Sequence, residues 1–291
     1  TTEIYTLSLH DALPIYSFDY PLDGKTDNFR WNNFIKFRNG QIKEVNDLVH
    51  PDLWWFDGDW TRSAEQWKMK ELRDSLLSWN PSAILNSRMM GYGDYGTPEL
   101  SIPIYAPEGP WELCLRINDS WGYQKNDHNH KSLNYIIRIF VDCISRGGNL
   151  LLDVGPMEDG SITKEQTERL EGLGNWIKKH AEAIYGTKRG LPLEYYCGPS
   201  TISKDNKTIY CFLPWDPKGE IVVKGIKNKI TGIRLLGTNE KLKFQINGGA
   251  PWKDIPGTLQ IILPLEKADK YVTAIAIDMD TPLVLHDDRK N

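Results

Sequence analysis

The sequence predicts an α/β protein: the C-terminal half of a (β/α)8-like barrel, followed by an antiparallel β-sandwich. Three observations carry this. From about Asn28 to Gly190, short apolar runs alternate with amphipathic helical stretches, the order of a parallel sheet with crossover helices. Beyond Gly190 the chain changes to alternating β-rich runs separated by Gly, Pro, Asn and Asp turns. An acid, Asp57, closes the first apolar run, at the strand end where barrel enzymes keep their reactive groups.

Taken in order, Thr1 to Ile15 has neither an initiating Met nor the basic and apolar regions of a signal peptide. Its stretch LSLHDALPI resembles translated sequencing-adapter text, so residues 1–16 are expected to be a non-native leader on an N-terminally truncated chain. Parallel strands are predicted over Leu53 to Asp57, Ala83 to Arg88, Glu112 to Asn118 and Asn149 to Val154. Between the first two, Ser63 and Gln66 spell a capping box, Met69, Leu72, Leu76 and Trp79 recur at helical spacing, and Asn80-Pro81 stops the helix. Leu133, Ile136, Ile137, Phe140, Val141 and Ile144 mark a second helix, ended by Gly147-Gly148. Thr163 and Gln166 spell another capping box before Leu170, Leu173, Trp176 and Ile177. Antiparallel strands are predicted over Thr208 to Leu213, Glu220 to Val223, Ile230 to Leu236, Leu242 to Ile246, Thr258 to Leu263 and Val272 to Ile277. The expected domains are therefore 17–189 and 190–291. A closed barrel needs about eight strands; the chain offers half that number, as a half-barrel or as a smaller sheet, and the half-barrel is the preferred reading.

Composition narrows the function. With 35 basic against 39 acidic residues and no Lys/Arg-rich run, the footprint of a nucleic-acid binder is missing. The most apolar helical stretch, Tyr135 to Ile144, is interrupted by Arg138 and Asp142 and is shorter than the ~20 residues of a membrane span, so no membrane segment is expected. Four cysteines without CxxC spacing argue against a zinc ribbon or thioredoxin-like site. Eleven Trp and thirteen Tyr supply flat faces that can stack on sugar rings, although core packing accounts for most of them.

Asp57-Gly58 at a strand end reads either as turn chemistry or as a catalytic acid, and the surrounding tryptophans favour a sugar site. Glycoside hydrolysis needs a second carboxyl to protonate the leaving oxygen. Glu99, in a Gly/Pro-rich loop, and Glu112, where the third strand begins, both stand near strand ends. Asp127, His128 and His130 share a polar loop; two histidines there are too few for a metal site, and none is expected.

Six motifs in order carry a resemblance: Trp55-Phe56-Asp57-Gly58-Asp59-Trp60, Asn86-Ser87-Arg88, Gly93 to Glu99, Trp111-Glu112-Leu113-Cys114, Ser120-Trp121-Gly122-Tyr123 and Gly148-Asn149-Leu150-Leu151-Leu152. From about Pro51 to Arg189 the chain resembles α-L-fucosidases of glycoside hydrolase family 29. The resemblance implies hydrolysis of terminal α-L-fucosides with retention and without a cofactor. It makes Asp57 the nucleophile, Glu99 the acid/base with Glu112 as the alternative, and Arg88, Trp55 and Trp121 the residues beside the sugar. It also implies a fucosylated glycan as partner and a secreted, periplasmic or lysosomal-type location. The family's early paired histidines have no counterpart among His10, His50, His128, His130, His180 and His286. A catalytically inert fragment that at most binds carbohydrate is therefore the rival reading. A half-barrel exposes a strand edge and much of its interior, so poor solubility or self-association, as a homo-oligomer, is expected.

Overall fold

The computed structural model describes residues 25–215 and 220–290, so the expected leader at 1–16 lies outside the described residues. The chain falls into two compact units that divide between Thr97 and Pro98.

The first unit opens with helix α1 (Lys25–Val49), which the sequence analysis did not identify. Its buried core contacts come from a sparse seam of Trp31, Ile35 and Ile42, with Phe34 packed beside them, while Phe29, Phe37, Leu48 and Val49 stay exposed. Trp31 stands edge-on to Trp67 at 4.8 Å and donates its indole N–H to the Gln66 carbonyl. The Ser63–Gln66 capping box forms in both directions. The helix it starts is broken, however, into α2 (Ala64–Trp67) and α3 (Met69–Trp79) by Lys68, whose φ of 52 lies in the left-handed region. Met69, Leu72 and Leu76 face the core as their spacing predicts. Strands β1 (Leu53–Trp54) and β2 (Ile84–Leu85) pair in parallel and are shorter than predicted. Beyond them the ladder is continued by a side chain: buried Asn86 accepts from the Phe56 amide at 3.0 Å and donates to the Phe56 carbonyl at 2.8 Å.

In the second unit β3 (Glu112–Arg116) pairs in parallel with β4 (Asn149–Asp153). Parallel ladders among the described residues are thus confined to one two-stranded pair in each unit, and no barrel is seen. Closure needs a continuous ladder of about eight strands, and these pairs are two and five residues long.

Helices α4 (Leu133–Ser145) and α5 (Lys164–Lys179) precede nine further strands: β5 (Thr187–Arg189), β6 (Ser200–Ser203), β7 (Thr208–Leu213), β8 (Glu220–Val223), β9 (Ile230–Leu235), β10 (Glu240–Lys241), β11 (Lys243–Asn247), β12 (Thr258–Ile262) and β13 (Thr273–Met279). They make two antiparallel sheets, ordered β10-β9-β13-β7-β6-β5 and β11-β12-β8. The alternation of β7 and β13 explains how both sheets are buried. Ile209, Cys211, Ile275 and Ile277 share a cluster with Ile221, Val223, Leu259 and Ile261 of the smaller sheet. Tyr210, Phe212, Ala274 and Ala276 turn the other way and pack with Ile136, Phe140 and Trp176 of α4 and α5. The Trp176 indole also donates to the Val272 carbonyl at 3.0 Å, fixing α5 to this sheet.

The second predicted capping box is only half formed. Thr163 accepts from the Gln166 amide, but the Gln166 side chain turns inward, accepting from the Gly155 amide at 3.2 Å and donating to Asn118 Oδ1 at 3.3 Å. It thereby ties together the segments that leave β3 and β4.

Candidate active site

In the first unit the residues after β1 and β2 converge. Arg88 Nη1 donates to Asp57 Oδ1 at 2.8 Å, across 31 positions of sequence. The Asp57 side chain is 51% exposed and that of Arg88 only 17% exposed, so the carboxylate is presented to solvent on an anchored guanidinium. That anchorage has several parts. Arg88 Nε donates to Thr97 Oγ1 at 3.2 Å, Thr97 Oγ1 lies 2.8 Å from Ser87 Oγ, and the guanidinium carbon sits 5.6 Å from the Trp55 ring centroid and 5.9 Å from that of Trp60.

Gly58 takes φ 85, as an Asp-Gly turn requires, but the turn is fastened by the next acid. Buried Asp59 accepts from the Met90 amide at 3.0 Å through Oδ2, and its carbonyl accepts from the Trp67 indole at 2.9 Å. The Asp57 side chain bonds to Arg88 instead, and remains available for chemistry.

The loop that delivers Thr97 is itself pinned. A Cβ on Gly93 would lie 2.2 Å from the Asn86 carbonyl oxygen, so only glycine permits this approach. Asp94 accepts from the Leu85 amide at 2.9 Å and from Arg73 at 2.7 Å. Burial alone would raise the Asp94 carboxyl, yet these donors hold it below the ordinary carboxylate value.

The remaining predicted residues lie in the second unit. Glu99 is exposed, in a segment that bridges β3 at Cys114 through Cys114 N to Pro98 O and Leu100 N to Cys114 O, both 2.9 Å. Glu112 is the first residue of β3, opposite Asn149, at the N-terminal end of that ladder. Trp121 is 40% exposed, with the Arg116 guanidinium carbon 5.4 Å from its ring centroid. Asp127 organises the intervening loop, accepting from the Asn118 side chain and from the Asp119 and Asn129 amides. Among the described residues no group of three or more His, Cys, Asp or Glu side chains is placed to hold a metal, and no helix is long and apolar enough to cross a membrane.

The structure therefore gathers Asp57, Arg88 and Trp55 into one arrangement, and adds Trp60, Thr97 and Asp59, which the sequence analysis did not single out as site residues. All three stood in quoted motifs. The part Thr97 plays gave no signal, because it depends on the Gly93 approach.

A sequence profile of the Alpha-L-fucosidase family matches residues 5–182. Tissue alpha-L-fucosidase of Mus musculus is 30% identical over 260 residues, covering 81% of this chain and 55% of that protein. The Homo sapiens protein of the same name is 30% identical over 258 residues, covering 81% and 54%. Among solved structures, Alpha-L-fucosidase isoenzyme 1 from Paenibacillus thiaminolyticus matches with a TM-score of 0.75 at 25% identity, covering 86% of this chain and 63% of that one. The Thermotoga maritima alpha-fucosidase in complex with fucose matches with a TM-score of 0.68 at 29% identity, covering 84% and 56%. The chain spans about half the length of the curated relatives it matches.

Proposed function

Because the chain belongs to the α-L-fucosidase family, we propose that it takes part in the retaining hydrolysis of terminal α-L-fucosides, with Asp57 as nucleophile. One observation supports this above others: an exposed carboxylate at a strand end, held at 2.8 Å by a guanidinium that is itself lodged beside Trp55 and Trp60. In this reading an Asp57 oxygen attacks C1 of the fucosyl unit. The bond from C1 to the leaving oxygen breaks, and Glu99 gives that oxygen a proton. Water, deprotonated by Glu99, then attacks C1 and releases Asp57. Two carboxyls at about 5 Å are what such a double displacement requires. Glu99 is preferred over Glu112 because Glu112 starts β3, whereas barrel enzymes use the opposite ends of their strands. Arg88 orients the nucleophile, and Trp55 and Trp121 offer faces to the sugar. The half-barrel of 17–189 and the β-sandwich of 190–291 belong to this reading, as does a fucosylated glycan as substrate.

The rival reading is a chain that is catalytically inert and at most binds carbohydrate. Hydrolysis of 4-nitrophenyl α-L-fucoside decides between them. Turnover by the purified chain that is lost in Asp57→Ala supports the enzyme; a folded chain with no turnover supports the inert reading.

A further inference from the structure

Helix α1 carries a second stripe that its own unit leaves uncovered. At about 100° per residue, Phe29, Lys36, Phe37, Gly40, Glu44 and Leu48 fall on one face, roughly opposite the buried Trp31, Ile35 and Ile42. Phe29, Phe37 and Leu48 are 66%, 63% and 76% exposed. Lys36, Phe37, Gly40 and Glu44 also line a shallow groove of about 420 Å³ along the helix. A glycine in a helix interior weakens the helix, and no contact within the chain calls for this one: a Cβ on Gly40 would meet nothing within 4 Å. Its effect is to let another backbone come close.

The charges on the stripe select what approaches. Among the described residues neither Lys36 nor Glu44 has an ion pair, and at about 12 Å apart along the helix they cannot reach each other. They flank Gly40 symmetrically, four residues before it and four after. An antiparallel second copy of α1, related by a two-fold axis at Gly40, therefore sets Lys36 opposite Glu44 twice. It also lays Phe37 beside Gly40 of the copy and Leu48 within a turn of Phe29 of the copy. A parallel copy would oppose Lys36 to Lys36 and Glu44 to Glu44. A self-complementary patch is what a two-fold dimer uses, and covering the exposed Phe29, Phe37 and Leu48 drives the association.

We propose that α1 is a homodimerisation surface, packing antiparallel against α1 of a second copy about Gly40. A helix of 25 residues is about 37 Å long, so the contact lies at the small end of specific interfaces and gives a micromolar Kd. The test is sedimentation equilibrium of the full chain from about 1 to about 100 µM, a range that brackets such a Kd. Wild type dimerises. Lys36→Glu and Glu44→Lys each weaken Kd about tenfold, because two attractive pairs become two repulsive ones. The equimolar mixture of these two variants regains the affinity, since every Glu then faces a Lys. Phe37→Ser loses the dimer, and all three positions are exposed, so the fold does not depend on them. A wild type that stays monomeric, charge variants that associate as wild type does, or a mixture no tighter than either variant alone would each overturn the proposal. Association that none of the variants weakens would belong to another surface, such as a strand edge, and would overturn it as well.

Discussion

Glu182 gives the sharpest stability prediction. It lies in the turn between α5 and β5 and accepts from both terminal nitrogens of Arg234, at 2.8 Å for Nη1 to Oε2, and from the Tyr210 hydroxyl at 3.0 Å. Arg234 Nε also donates to Asp278 at 3.0 Å, so one guanidinium joins that turn to β9 and β13. The bidentate geometry is the favourable kind, but the Glu182 side chain is 45% exposed and solvent screens the pair. Glu182→Gln, which keeps the shape and removes the charge, is expected to cost about 1–2 kcal/mol at pH 7. The pH dependence has a definite sign. Arg234 holds the folded-state Glu182 carboxyl below its ordinary 4.5, outweighing the upward push of burial. Its contribution is therefore complete above that ordinary value and is lost as pH falls through the lower, folded-state value. Urea unfolding of wild type and Glu182→Gln at pH 7 and pH 3 measures this. The gap between midpoints narrows at pH 3; equal gaps at both pH values would refute the reasoning.

Two further outcomes follow from buried positions. A Cβ at Gly148 would lie 2.4 Å from the ring of Trp111, which is fully buried and cannot retreat, so Gly148→Ala should lower stability by about 2–3 kcal/mol, read as a shifted urea midpoint. Burial pushes the Cys143 thiol up to about 12 and raises that of Cys211 as well, while Cys197 is exposed. Peptide mass spectrometry after iodoacetamide treatment at pH 8 should find Cys197 alkylated and Cys143 and Cys211 unmodified.

Much of the fold was legible where one kind of periodicity ran unbroken. The apolar face of α4 and the alternation of β7, β9, β12 and β13 all lie close to their predicted positions. Legibility failed where polar residues form structure. β5 is Thr-Lys-Arg and β6 is Ser-Thr-Ile-Ser, neither apolar enough to signal a strand, and α1 buries only a thin seam. The parallel strands were read too long because Asn86 replaces a backbone ladder with its side chain, which no period-2 pattern reveals. Asp57, Arg88 and Trp55 could be read as strand-end residues. The part played by Thr97 could not, since it depends on a loop's approach to the Arg88 guanidinium.

The two faces of β13 differ in a way that bears on how the chain finds its register. Both are apolar over Ala274 to Ile277, so within that stretch polarity cannot tell a correct alignment from a slip of one residue. Size can. Ala274 and Ala276 lie under the helices, and Ile275 and Ile277 face the smaller sheet. A one-residue slip would drive isoleucine into the space beside Trp176 and leave alanine in isoleucine-sized spaces on the opposite side, incurring overpacking and cavity penalties together. The strand is thus proofread by volume, and an Ala276→Ile, Ile277→Ala exchange would write the wrong alignment into the chain without changing its hydrophobicity.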